Sequence, residues 1–329
     1  MRTKITIIYN APNPDLYEVV EEKKASLTIA DSVDAIYQAL TECGYPVFRL
    51  PLLPPLDSAK ENLKRLETGI VFNLFEGFDG SPESEPAVTN FLAELGLTYT
   101  GCPGAALSFG LDKINTKAHL LAMGIETPKY QLLGPKTLSL FHLRYPCIVK
   151  PYAEDGSNGI SEESVVQDLT SLKKQVIMIS KLFNQRALVE EFIDGREFNV
   201  TVLGTTPPKA LPVSEIVYSL PPELPRILTF SAKWDPQSIY FKGTKAVCPA
   251  RIDIGLQERI TQNALLAFRL IGSRGYARVD FRLDPENRLK IIELNPNPDI
   301  SPDAGAPLQA KTAGMSYNQF IEQIVQLAL

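Results

Sequence analysis

The sequence predicts a mixed α/β protein that opens on a parallel sheet. Three observations carry this. Short apolar runs alternate with stretches of helical periodicity through the first hundred residues, the pattern of strand–helix–strand units and parallel strands. The last third contains RVDFRLDPENRLKIIELNP, two alternating runs around a turn, which read as a hairpin. The chain has 329 residues, room for one large domain or two to three modest ones.

Each element follows from its local pattern. KITIIY is a strand. SVDAIYQALTECGY has apolar residues at helical spacing and stops at Gly44. PVFRL and GIVFNLF are further strands. EPAVTNFLAELG is a helix that again ends in Gly, and LTYTG is a short strand. Residues 10–25 (NAPNPD, then EVVEEKK) break the alternation and read as an inserted loop or an exposed helix. DKINTKAHLLAMG is helical. RYPCIVKPYAEDGSNGIS is a strand ending in Lys150, then a Gly/Ser turn. The helix DLTSLKKQVIMISKLF and the strand RALVEEFI follow. FNVTVLG, the Pro-rich LPPELPRI, a long loop FSAKWDPQSIYFKGTKAVCPA and the helix LQERITQNALLAFRLIG lead to the hairpin.

Composition narrows the function. Hydrophobic residues make up 44% and charged residues 22%, with net charge −5 and no Lys/Arg block. That argues against extended nucleic-acid or anionic-membrane binding. Cys43, Cys102, Cys147 and Cys248 lie far apart without a CxxC, so they read as reduced buried thiols. The start lacks the apolar core of a signal peptide, and no apolar run reaches about 18 residues. The cytoplasm is the expected compartment. Only His119 and His142 are present, which leaves little for imidazole chemistry.

Four stretches carry candidate chemistry. In the hairpin, Asp284–Pro285–Glu286–Asn287 is the turn. Alternation puts Arg278, Asp280 and Arg282 on one face and Ile291, Glu293 and Asn295 on one face of the partner. Asp280 and Glu293 then converge. Two neighbouring carboxylates repel unless a cation lies between them, and magnesium takes such oxygens, with Asn295 as a third; a solvated charged face is the other reading. Lys150 with Gly156, Ser157 and Gly159 offers backbone N–H groups and a point charge to a phosphate, or is only a turn. Glu190, Glu191 and Glu197 in LVEEFIDGREF suit an adenine amino group or ribose hydroxyls, or are solvated acids of an edge strand. Lys233 and Trp234 fall in a connection long enough to be a lid, with Trp234 alternatively a core plug.

The order LSFGLDKINTK, CIVKPYAEDGSNGI, LVEEFIDGREFNV, AKW…CPA, ARVDFRLD and IIELNPNP resembles the ATP-grasp superfamily, and in it the D-alanine–D-alanine ligases, over roughly residues 70–305. The resemblance implies three domains: an N-terminal pre-ATP-grasp domain over 1–106, a central subdomain over 107–187 and a C-terminal catalytic subdomain over 188–329. It implies ATP between the last two. Lys113 and Lys150 would touch the ATP phosphates, with Ser157 in the loop over them. Glu190 would receive the adenine amino group, with Ile193 near the ring, and Glu197 the ribose. Lys233 would contact the terminal phosphate. Asp280, Glu293 and Asn295 would bind two magnesium ions, or manganese. Arg278 would stabilise the oxyanion. The partners would be small carboxylate and amine substrates, and the assembly a homodimer through the N-terminal domain.

The chain departs from that family on the substrate side. IIYNAPNPDLYEVVEEKK stands where the ligases have a segment whose Glu binds the first ammonium. Trp234 follows the lid Lys where a Tyr is usual. PDISPDAG replaces a segment gripping the second carboxylate, and Asp299 and Asp303 there suit a cationic group or only turn the loop. Glu76 stands in place of a His. A D-alanine–D-alanine ligase, a ligase joining other amino acids or an amino acid to a metabolite (as in the mycosporine pathway), a nucleotide-binding module without catalysis, and an interaction protein all remain open at this point.

Overall fold

The computed structural model describes residues 2–11, 20–78, 80–154, 157–204 and 206–329, and of residues 20–29 the backbone alone. The first sheet is parallel with strand order β2-β1-β3, made of β1 (Ile5–Asn10), β2 (Val47–Leu52) and β3 (Ile70–Leu74). The crossovers are α1 (Val20–Glu42) and α2 (Leu56–Lys64), and α3 (Ser84–Glu94) follows β3. The expected strand at LTYTG shrinks to one bridge, Val71 with Tyr99. The EVVEEKK stretch resolves as helix from Val20 onward; residues 12–19 lie outside the described residues.

Two short helices, α4 (Gly104–Leu111) and α5 (Lys113–Ala122), lead on. The second sheet is antiparallel with order β4-β7-β5-β6, from β4 (Tyr130–Leu133), β5 (Cys147–Pro151), β6 (Val165–Val166) and β7 (Ala187–Glu191), with α6 (Leu169–Leu182) packed on it. A division after residue 187 falls inside β7, whose ladder with β5 runs from Ala187 to Glu191.

The third sheet has the order β11-β10-β8-β12-β13, with β9 beside β8. Its strands are β8 (Arg196–Leu203), β9 (Lys209–Ala210), β10 (Ser214–Tyr218), β11 (Thr244–Val247), β12 (Tyr276–Leu283) and β13 (Leu289–Asn295). The helices α7 (Phe230–Trp234) and α8 (Ile239–Gly243) precede β11, so the long connection around Trp234 is structured. Trp234 is half-buried, its ring 6.4 Å from that of Phe230. Then come α9 (Ile254–Leu270), α10 (Gly305–Thr312) and α11 (Tyr317–Gln326). The core of this sheet takes in α4, α5 and α9 through Ala106, Leu107, Leu120, Ile260 and Phe268. The inner face of the first sheet (Ile5, Ile7, Ile70, Phe72) is covered by α11 through Phe320, Ile321, Ile324 and Val325. The chain's first strand and last helix thus share one core. Among the described residues no helix is long and apolar enough to cross a membrane.

Candidate active site

The hairpin of β12 and β13 forms as the DPEN turn predicts, with Asn287 in the left-handed region at φ 61° and its N–H donating to the Asp284 carbonyl at 3.0 Å. The register corrects one expectation. Asp280 opposes Glu293 and Phe281 opposes Ile291, so Ile292 is an extra residue, a β-bulge. Beyond the bulge the alternation inverts. Ile291 joins Phe281 in the core instead of sharing the face of Glu293, and Ile292 lines the cleft. Asn295 opposes Arg278, so Arg278, Asp280, Glu293 and Asn295 form one patch.

Arg278, Asp280 and Glu293 of that patch line a cleft together with Lys113, Lys150, Ser157, Glu197, Lys233 and Arg282. Eight predicted positions therefore meet in one place: Lys113, Lys150, Ser157, Glu197, Lys233, Arg278, Asp280 and Glu293. Glu190, Ile193 and Asn295 do not line it. Asn295 pairs with Arg278, and its Oδ1 accepts the Asn297 N–H at 2.8 Å. Ile193 contributes a carbonyl that accepts from Arg282 at 3.1 Å. Ser157 is left-handed at φ 66°, a conformation few non-glycine residues adopt; Asp155 and Gly156 before it lie outside the described residues. The Phe230 N–H at the start of α7 donates to the Ile160 carbonyl at 3.1 Å, which ties the Ser157 loop to the Lys233 segment.

The charges are arranged in neutralising groups. Arg278 holds Asp280 through two bonds, Nε to Oδ1 at 2.7 Å and Nη2 to Oδ2 at 2.8 Å. Burial raises the Asp280 carboxyl above its ordinary range although Arg278 opposes this. Lys113 reaches Glu293 at 2.7 Å. Burial pushes the Glu293 carboxyl up, but Lys113, then Lys150 and Arg278, overcome that and hold it well below the usual carboxylate range. Burial lowers Lys233, with Arg278 adding to the effect, so this ammonium gains from any anion that arrives.

Two residues of this charge network were left without a role by the sequence reading. Lys117 lies one turn after Lys113 on the same face of α5, a helix that begins where the Asp112 carboxylate caps the Asn115 N–H at 2.9 Å. Lys113 binds β13 of the third sheet, while Lys117 binds Glu190 on β7 of the second at 2.6 Å. Lys150 takes the other Glu190 oxygen at 2.9 Å. The expected adenine acceptor is thus the counter-ion of Lys117 and Lys150 and is only 1% exposed. Burial works against its charge, yet Lys117 and Lys150 hold its carboxyl below the ordinary value. The i,i+4 pair of lysines in DKINTK was the available signal. The second residue is Arg282, which stood on the site face in the sequence pattern without a role.

Magnesium prefers few carboxylates plus substrate phosphates to a closed protein cage. Among the described residues no group of three or more His, Cys, Asp or Glu forms such a cage. Two opposed carboxylates, each already drawn to a cation, with an amide oxygen beside them, fit that mode of binding.

A family model described as D-ala D-ala ligase C-terminus matches residues 122–326. A D-alanine–D-alanine ligase of Carboxydothermus hydrogenoformans is 30% identical over 320 residues, which cover 94% of this chain and 95% of that one. An uncharacterized protein of Sinorhizobium fredii is 35% identical over 308 residues, 91% of this chain and 87% of that one. In fold, the D-alanine–D-alanine ligase of Bacillus anthracis complexed with ATP superposes with a TM-score of 0.73 at 20% identity, covering 99% and 97% of the two chains. A D-Ala:D-Ser ligase of Enterococcus faecalis gives 0.74 at 20% identity, with 100% of both covered. The chain belongs to the D-alanine–D-alanine ligase family and has its ATP-grasp fold.

Proposed function

We propose that this cleft activates a carboxylate with ATP and passes the acyl group to an amine, with an amino-acid pair other than D-alanine with D-alanine. One observation carries the chemistry: Asp280 and Glu293 face each other across β12 and β13 inside a cleft that also holds Lys113, Lys150, Lys233 and Arg278.

A free carboxylate is a poor acyl donor because its leaving group would be oxide. Transfer of the terminal phosphoryl group of ATP onto it gives an acyl phosphate, which loses phosphate readily. Lys113, Lys150 and Lys233 offset the charge that moves with that group. Glu197 takes the ribose hydroxyls. Ile193 lies near the adenine ring, and Glu190, once the phosphates draw Lys150 away from its Oε2, accepts the amino group. Asp280, Glu293 and Asn295 would hold two magnesium ions, or manganese, which would supply positive charge to offset that of the transferred phosphoryl group. The amine then attacks the acyl carbon, the bond to phosphate breaks, and the amine's extra proton passes to solvent. Arg278 stabilises the oxyanion that forms on the way. Ser157 and the Lys233 segment cover the site and keep out the water that would hydrolyse the acyl phosphate.

The substrate side supports a different amino-acid pair. Asp299 is exposed and its charge reaches Lys233 and Arg278, a poor setting for a second carboxylate and a better one for a cation. The assembly we infer is a cytoplasmic homodimer joined through the first sheet.

Phosphate release from Mg-ATP, with single and paired D- and L-amino acids and mass spectrometry of the products, tests this. The expected result is silence with D-alanine alone and release with another pair. D-alanyl-D-alanine as the main product would overturn the altered specificity. Failure to bind Mg-ATP at all would overturn the reading as a whole.

A further inference from the structure

We infer that Arg282 is the positioning residue of the nucleotide site: it fixes the one carboxylate that reads the ribose, and with it the connection between the two walls of the cleft. This rests on the reading of Glu197 as the ribose-binding residue.

Arg282 is 5% exposed, and its guanidinium collects acceptors from two stretches of chain, residues 193–197 and Arg226. Nη1 donates to the carbonyls of Ile193 at 3.1 Å and Gly195 at 3.4 Å, both in the connection between β7 and β8. Nη2 donates to Glu197 Oε2, and to the Arg226 carbonyl at 2.6 Å. Arg226 in turn binds Asp194 at 2.6 Å. The connection approaches β12 closely because residue 195 is glycine. A Cβ there would lie 1.8 Å from the Leu283 carbonyl oxygen.

Tyr218 completes the arrangement, donating to the same Glu197 Oε2 at 2.7 Å. Burial, then the Glu197 charge, pushes this phenol well above its ordinary pKa, so it stays a donor. Both bonds land on Oε2, and Glu197 lines the cleft, which leaves Oε1 for a ligand hydroxyl. A lysine could supply charge here but not the planar fork that spans a carboxylate and three carbonyls.

The test is calorimetric binding of Mg-ATP, Mg-2′-deoxyATP and Mg-3′-deoxyATP to the whole protein, which needs no amino-acid substrate. Wild type is expected to prefer ATP to the weaker deoxy analogue. Glu197→Gln should reduce that preference, by about tenfold for a lost charged hydrogen bond. Arg282→Met should reduce it as far, Arg282→Lys part way, and Tyr218→Phe by about threefold. General damage to the fold would weaken all three ligands alike and leave the ratio unmoved.

If Glu197→Gln loses the preference while Arg282→Met and Arg282→Lys keep it, the inference about Arg282 is overturned and the ribose assignment stands. If Glu197→Gln keeps the preference, the ribose assignment fails and takes the inference with it. If Arg282→Met does not fold, Arg282→Lys and Tyr218→Phe decide, and an unchanged ratio in both overturns the proposal.

Discussion

At Lys117 the chain buries an ammonium beside a buried carboxylate. Burial drops the lysine pKa from its ordinary 10.5 to about 8, even though Glu190 pulls it back up. The sign of the pH effect follows. Between about pH 8 and 10.5 the unfolded chain keeps a proton that the folded protein has released, so the cost of burying Lys117 shrinks as pH rises through that window. Urea midpoints across the window should therefore fall less steeply in wild type than in Lys117→Met, which lacks the compensating gain. Identical pH slopes would contradict the shift. Glu293→Gln should behave differently. It breaks the Lys113–Glu293 ion pair and removes one of two opposed carboxylates, so Mg-ATP binding should weaken by at least about tenfold, with calorimetry at low and high magnesium as the check.

Elements place these residues, and the sequence pattern disclosed them unevenly. The hairpin was readable because DPEN is an explicit turn and both strands alternate. Its bulge was not. IIELN scans as regular alternation, and nothing local marks Ile292 as the residue without an opposite; the inversion is settled by Ile291 packing on the far side of the sheet. Glu293 and Asn295 were placed correctly all the same, because both lie on one side of the bulge. The helix α4 hides in GAALSFGL, too rich in small residues to show a face. The helices α7 and α8 hide in a segment whose Pro and Gly suggest loop, since five residues each are too few to display a period. Lys117 and Arg282 were visible as residues but not as roles, because their acceptors come from distant strands. At Gly195 the backbone contact itself can be tested. Gly195→Ala must push the β7–β8 connection off β12, with an expected loss of about 3 kcal/mol. Gly134→Ala, where a Cβ meets only Arg186 Cγ at 3.6 Å, should stay close to wild type in the same urea series.

Over the whole molecule, three sheets divide the labour: the first buttresses, the second and third enclose the cleft, and α5 ties the enclosing pair with one lysine to each. The first sheet is not self-sufficient. Phe320, Ile321, Ile324 and Val325 are all fully buried against it. At about 1.5–3 kcal/mol for each such side chain, removing them forfeits about 6–12 kcal/mol, as much as a typical domain's entire stability. Truncation after Ser316 should accordingly leave the first sheet without cooperative unfolding, and residues 1–106 alone should give the circular dichroism and collapsed amide spectrum of an unfolded chain. A cooperative thermal transition from that fragment would refute this.

That shared core also sets an order of events during synthesis. A ribosome releases the first strand some three hundred residues before the helix that must cover it. The nascent amino-terminal region therefore waits, with Ile5, Ile7, Ile70 and Phe72 covered by Val33, Ile36 and Leu40 of α1 but not yet by α11, while the later sheets emerge and assemble. For this protein the beginning of the message is the last part to settle, and slowing translation near its end should lengthen the time during which a holdase chaperone can be captured on the nascent chain.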